Sequence, residues 1–175
     1  MMWRATPAAR NQAGYTLIEL LLYVTILGSL LTSVVLFFTL MTDASTKNQS
    51  ITEVNDQGIA VMDQITQTIR NATSITTPAV AGSGASLTLV VPTGSLSPTI
   101  FSLSGTVLQV KEGAAAAVAL TNNDVQVTNL TFANLTRPGT KGLVQVSFTL
   151  SRVNTSSRNE YDYQKNFTSS AEVNW

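Results

Sequence analysis

The chain has 175 residues with ten basic and ten acidic side chains, so its formal net charge is zero. It contains no Cys and no His, which excludes a disulfide framework, a thiol nucleophile, and the commonest general base and metal ligand. The charge balance argues against broad nucleic-acid binding and leaves only a local patch open.

The charge is unevenly spread. Met1–Gly14 carries Arg4 and Arg10 and no acid, so it is +2, against −2 for the remainder. An apolar run follows from Tyr15 to Met41, 27 residues, or ~40 Å as a helix, enough to span a hydrocarbon core of ~30 Å. Asp43 and Lys47 come after it. The positive-inside bias places the short N-terminal piece in the cytoplasm and the C-terminal domain outside. Gly28, Thr16, Thr25, Ser29, Thr32 and Ser33 interrupt the run. Such small and hydroxylated residues permit close helix contact in lipid.

Between Arg10 and Asp43 the one charged side chain is Glu19. A carboxylate within a span costs ~2.5–3.5 kcal/mol at its centre and less near an interface, so it demands a role. A cleavable secretory signal would have a shorter core of about 7–15 residues and a small-x-small site. Met41-Thr42-Asp43-Ala44-Ser45 does not supply one. A plain signal anchor accounts for length and orientation, but not for Glu19 or the abrupt Gly14 junction.

The stretch Gly14-Tyr15-Thr16-Leu17-Ile18-Glu19-Leu20-Leu21-Leu22 resembles the N-terminal motif of type IV prepilins and type II secretion pseudopilins, with Tyr15 in place of the usual Phe. The resemblance implies cleavage by a membrane-embedded prepilin peptidase between Gly14 and Tyr15, methylation of the new amine, and an assembly role for Glu19. Met1–Gly14 becomes a removed basic leader. Helices packed with an axial stagger can set the Tyr15 amine of one subunit against Glu19 of the next. Pairing makes two charges tolerable in a low-dielectric setting and sets register. The simpler reading of Glu19 is a carboxylate at the membrane edge that reaches water.

From Asp43 to about Ile75 the chain turns polar without a breaker until Pro78. Ile51, Val54, Gly58, Val61, Ile65, Ile69 and Ala72 recur at threes and fours, widened by Met62, and predict one apolar helix face. Gly58 in that seam marks close packing rather than a stop. The organisation is then a leader at 1–14, a transmembrane and assembly half of a helix at 15–41, an amphipathic half at 42–75, and a β-rich head at 76–175. One helix from Tyr15 to Ile75 would run ~90 Å. Two helices with a bend near Met41–Ser45 are the alternative.

After Pro78 the residues 79–85 read as a loop. Short alternating runs follow: Leu87, Leu89 and Val91; Ile100, Phe101 and Leu103; then a turn at Ser104-Gly105 into Val107–Val110. Ala114–Leu120 is ambiguous between helix and sheet edge. Val125, Val127, Leu130 and Phe132 suggest a strand with a bulge at Asn129. Arg137-Pro138-Gly139 turns the chain into Val144, Val146, Phe148 and Leu150, the clearest period-2 run, and Glu160–Val173 forms a last strand region. One-sided alternation predicts an antiparallel sheet with one buried face, covered by the helix stripe. The fold class is α+β and pilin-like. The layout also resembles minor pseudopilins of the J type.

No catalytic constellation is present, so the chain is read as a non-enzyme with no cofactor and no metal. Glu160 and Asp162 are expected on one solvated strand face. Asn122-Asn123-Asp124 offers oxygen ligands for calcium, but a polar turn is the better reading. Asn-x-Ser/Thr triplets begin at Asn48, Asn71, Asn129, Asn134, Asn154 and Asn166, at a density that chance explains in so polar a chain. Arg137, Lys141, Arg152 and Arg158 are the candidates for a basic patch. The expectation is a structural minor pilin or pseudopilin of a secretion, pilus or competence filament. The resemblance implies other subunits, prepilin peptidase and a membrane assembly platform as its partners. A membrane-anchored binding domain that never polymerises is the alternative.

Overall fold

A computed structural model describes residues 14–174. Two compact units divide the chain, one ending at Thr42 and the other beginning at Asp43. Helix α1 (Leu17–Asn71) contributes to both. It ends four residues before the expected Ile75, and Ile75 falls instead in strand β1 (Ser74–Thr77). Ala72 already leaves the helix, its N–H bonding the Ile69 carbonyl at 3.1 Å. The run Thr73-Ser74-Ile75-Thr76-Thr77, β-branched at every position but Ser74, suits a strand better than a last helical turn.

In the unit from Asp43 onward, the expected stripe is the buried face of the helix. Val54, Val61, Met62, Ile65, Ile69 and Ala72 all belong to the core. Ile51 is only half-buried, so the stripe is fully covered from Val54. Each fully buried aliphatic side chain of this kind contributes ~1.5–3 kcal/mol. Gly58 is the closest approach. A Cβ there would overlap the ring of Phe167, which stacks on Phe148 with centroids 5.4 Å apart.

The head forms two antiparallel sheets where the alternation predicted one. The remaining strands are β2 (Ser83–Gly84), β3 (Leu87–Val90), β4 (Thr99–Ser104), β5 (Val107–Glu112), β6 (Val118–Ala119), β7 (Val125–Asn134), β8 (Leu143–Arg152) and β9 (Gln164–Glu172). The first sheet has the order β1-β3-β4-β5-β6, and the second has β2-β7-β8-β9. The split arises because β5 pairs onward with the short β6, whereas β7 pairs with β8 and, at its far end, with β2, Ser83 opposite Ala133. The β6 edge then pairs only two residues with β5 before the chain moves on. The two sheets meet where the Val127 N–H bonds the Thr106 carbonyl at 2.8 Å.

Local chemistry explains the register. Gly105, at φ 63°, opens a two-residue turn that places Ser104 opposite Val107. Asn129 adopts φ 54°, and the β7–β8 register slips between Thr128 and Thr131. That bulge changes the parity of β7, so Val125 and Val127 before it and Leu130 and Phe132 after it are all buried. Without it, Leu130 and Phe132 would face water. Pro138 and Gly139 (φ 77°) form a turn closed by Thr140 N–H to Arg137 O at 3.1 Å, the residue preference of a type II turn. Ala114–Leu120 resolves toward its flanks. It is a turn leading into the short edge strand β6.

Candidate processing and assembly site

Gly14, Tyr15 and Thr16 precede the helix and are not helical. A Cβ on Gly14 would meet nothing within 4 Å. Residues 14–16 thus form an exposed, non-helical segment. Thr16 caps the helix behind it. Its hydroxyl accepts the Glu19 N–H at 3.3 Å, and its carbonyl accepts the Leu20 N–H at 3.1 Å. This satisfies helix-end donors that would otherwise be orphaned. A cut between Gly14 and Tyr15 leaves Thr16 on the C-terminal side, so the cap survives it. Glu19 is in the first turn, where the positive end of the helix dipole favours a carboxylate. One turn on, Tyr23 donates its hydroxyl to Glu19 Oε1 at 3.2 Å.

Around this polar point every large apolar side chain from Tyr15 to Met41 is exposed, Leu17 at 82 %. Among the described residues α1 is the one helix long and apolar enough to cross a membrane. Its hydroxyls are compatible with that. Thr25, Ser29, Thr32, Ser33, Thr39 and Thr42 each donate to a carbonyl of their own helix three or four residues back, at 2.8–3.0 Å. An unpaired hydroxyl in hydrocarbon would cost several kcal/mol.

The polar positions of the head serve structure. Asn122 does not form an open oxygen cluster. Its amide donates to Glu53 Oε1 at 2.7 Å, its backbone N–H bonds Gln57 Oε1 at 3.2 Å, and its side-chain oxygen accepts the Asp124 N–H at 3.0 Å. Asn134, in one of the Asn-x-Thr triplets, is 2 % exposed and donates to the Pro78 carbonyl at 2.8 Å. Glu160 lies in a 3-10 turn (Asn159–Tyr161), not on a strand face beside Asp162. Of the four candidates for a basic patch, Arg152 and Arg158 are in ion pairs. Arg152 pairs with Asp124 at 3.6 Å, and Arg158 pairs with Asp43 at 3.3 Å and Glu160 at 2.6 Å. Its own backbone N–H, and then Arg158, hold the Glu160 carboxyl below the ordinary range, while the bond to Glu160 raises Arg158.

Three features of this arrangement went unread in the sequence. Lys47 donates to the carbonyls of Asn159 and Asp162 at 3.0 and 2.6 Å. Together with Arg158–Asp43 it straps the 153–163 loop to α1. No local signal announces a contact across more than a hundred residues. The Thr16 cap had a local signal: Thr-x-x-Glu ahead of an apolar run is a capping signature. Tyr23, four residues from Glu19, was open to the same helical spacing argument.

Arg4, Arg10 and the rest of the expected leader before Gly14 lie outside the described residues. A family model, the prokaryotic N-terminal methylation motif, matches residues 9–35. The match takes in the Gly14 junction, Glu19, Tyr23 and most of the apolar run, and it stops short of the head. The chain thus carries the hallmark of the type IV prepilin and pseudopilin family. No curated protein and no solved structure matches it.

Proposed function

We propose that this chain is the precursor of a structural subunit of an extracytoplasmic filament. Prepilin peptidase removes Met1–Gly14, and the apolar half of the helix then joins neighbouring subunits. The observation that carries the proposal is an exposed apolar helix with a single carboxylate in its first turn, directly behind an unwound glycine junction. Lipid covers such a surface before assembly and other subunits cover it afterwards. Arg4 and Arg10 hold the leader in the cytoplasm and the head emerges outside.

Cleavage creates a cation at Tyr15 that did not exist in the precursor. A staggered neighbour presents Glu19 to it, and the pair sets the axial register of the filament. The role is mechanical rather than catalytic. The layout of the head supports a minor subunit, similar to J-type pseudopilins, in a type II secretion or type IV pilus system. The membrane assembly platform is its further partner.

Intact-mass measurement of the chain, purified from cells with an active prepilin peptidase, tests the proposal. The expected mass is that of a chain beginning at Tyr15 with one added methyl group. Retention of Met1 through Gly14 would overturn it and leave a membrane-anchored binding domain. A Glu19→Ala chain should still insert and be cut but should enter filaments at a reduced, still measurable level. Co-purified filament components distinguish a secretion apparatus from a pilus.

A further inference from the structure

We infer that Tyr23 is a positioning residue for the assembly carboxylate, its hydroxyl holding Glu19 in the orientation that receives a neighbouring subunit's amino terminus. The inference rests on the filament-subunit reading and adds a residue to it. Tyr23 is unlike the hydroxyl residues that follow it through Thr42. Thr25, Ser29, Thr32, Ser33, Thr39 and Thr42 all bond backward to helix carbonyls. The Tyr23 hydroxyl stands beyond its ring, away from those carbonyls, and in an apolar setting it needs an acceptor. It finds Glu19 Oε1 one turn earlier at 3.2 Å.

That bond has two consequences. It occupies one oxygen of the carboxylate and leaves Oε2 as the open acceptor for an ammonium donor. It also orders a side chain with three rotatable bonds before the neighbour arrives. Ordering in advance reduces the entropy lost on docking. In lipid the hydroxyl further serves as a hydrogen-bond donor to a carboxylate that has no water to replace it. The ring alone provides none of this, so an aromatic residue acting only as a membrane-interface anchor makes a different prediction.

The test is a cycle of full-length chains carrying Tyr23→Phe, Glu19→Ala or both, each expressed in its own cells in place of the natural chain. Two quantities are read: the fraction cut after Gly14, by intact mass, and the fraction of cut chain recovered in assembled filaments. Tyr23→Phe should be cut normally and enter filaments about tenfold less, the scale of one hydrogen bond to a charged group. In the Glu19→Ala background Tyr23→Phe should have no further effect. Incorporation at the wild-type level, an equal loss in the Glu19→Ala background, or a failure of cleavage in Tyr23→Phe would each overturn the inference. If Glu19→Ala itself assembles normally, the filament role of Glu19 fails. If only Tyr23→Phe is neutral, that role stands and the positioning role alone is lost.

Discussion

Replacing Gly58 with Ala opposes a local gain to a tertiary cost. In a helix interior Ala is favoured over Gly by about 1 kcal/mol, and on that ground alone the variant would be more stable. The added Cβ, however, would lie 2.6 Å from Phe167 Cε1 and closer still to its neighbours in the ring. Carbon atoms prefer about 3.5–4.0 Å. The ring has little room to retreat, because it also stacks on Phe148 with centroids 5.4 Å apart. Overpacking of this kind costs about 1–3 kcal/mol, and loosening the ring pair adds about 0.5–1.5. Subtracting the helix gain leaves a net loss of about 1–3 kcal/mol, or a Tm lower by roughly 5–10 °C for a domain of this size. Thermal unfolding followed by circular dichroism measures it, on the segment from Asp43 onward. Phe167→Leu in the Gly58→Ala background should recover part of the loss, giving less than the sum of the single effects. A Tm that stays level or rises would show that the helix and β9 do not make this contact.

The segment from Asp43 onward should itself be soluble and folded. The buried residues of α1 begin at Ser50, so removing the apolar run takes nothing from the core; aggregation or a broad, non-cooperative melt would contradict this. Lys47→Met should leave the melting temperature almost unchanged but speed protease cleavage within residues 153–163, because the carbonyls of Asn159 and Asp162 lose their shared donor. The Glu160 carboxyl titrates lower in the folded protein than its ordinary 4.5. Its contribution to holding the 153–163 loop is therefore complete above that value and is lost as pH falls through the lowered one. Cleavage within the loop by an acid-active protease should accelerate as the pH falls below the ordinary 4.5. In Glu160→Gln that acceleration should flatten, and an unchanged profile would remove Glu160 from the strap.

Much of the molecule was legible because its signals are local. The Gly14 junction, the single charge at Glu19 and the length of the apolar run are linear features. The spacing of Val54, Val61, Ile65, Ile69 and Ala72 also speaks for itself, since a 3.6-residue period specifies a buried helix face whatever covers it. The three-residue step from Val127 to Leu130 announced the Asn129 bulge, because a strand can keep both residues inside only by gaining one. Even the seat at Gly58 was announced by a glycine that the helix would otherwise disfavour, although its occupant was not.

Tertiary structure alone decided the rest. Period-2 alternation tells which face of a strand is buried but not which strand lies beside it. One expected sheet therefore became two, because β7 pairs with β8 and β2 and not with β5 or β6. It also decided the fate of the head's charges. Arg152 and Arg158 are bound to acids, and Lys47 is bound to carbonyls on a loop 112 and 115 residues away. Covalent neighbours and helical spacing determine the glycine junction, the cap and the apolar surface, because each needs only residues a few positions apart. Pairing between distant segments depends on how the whole chain packs.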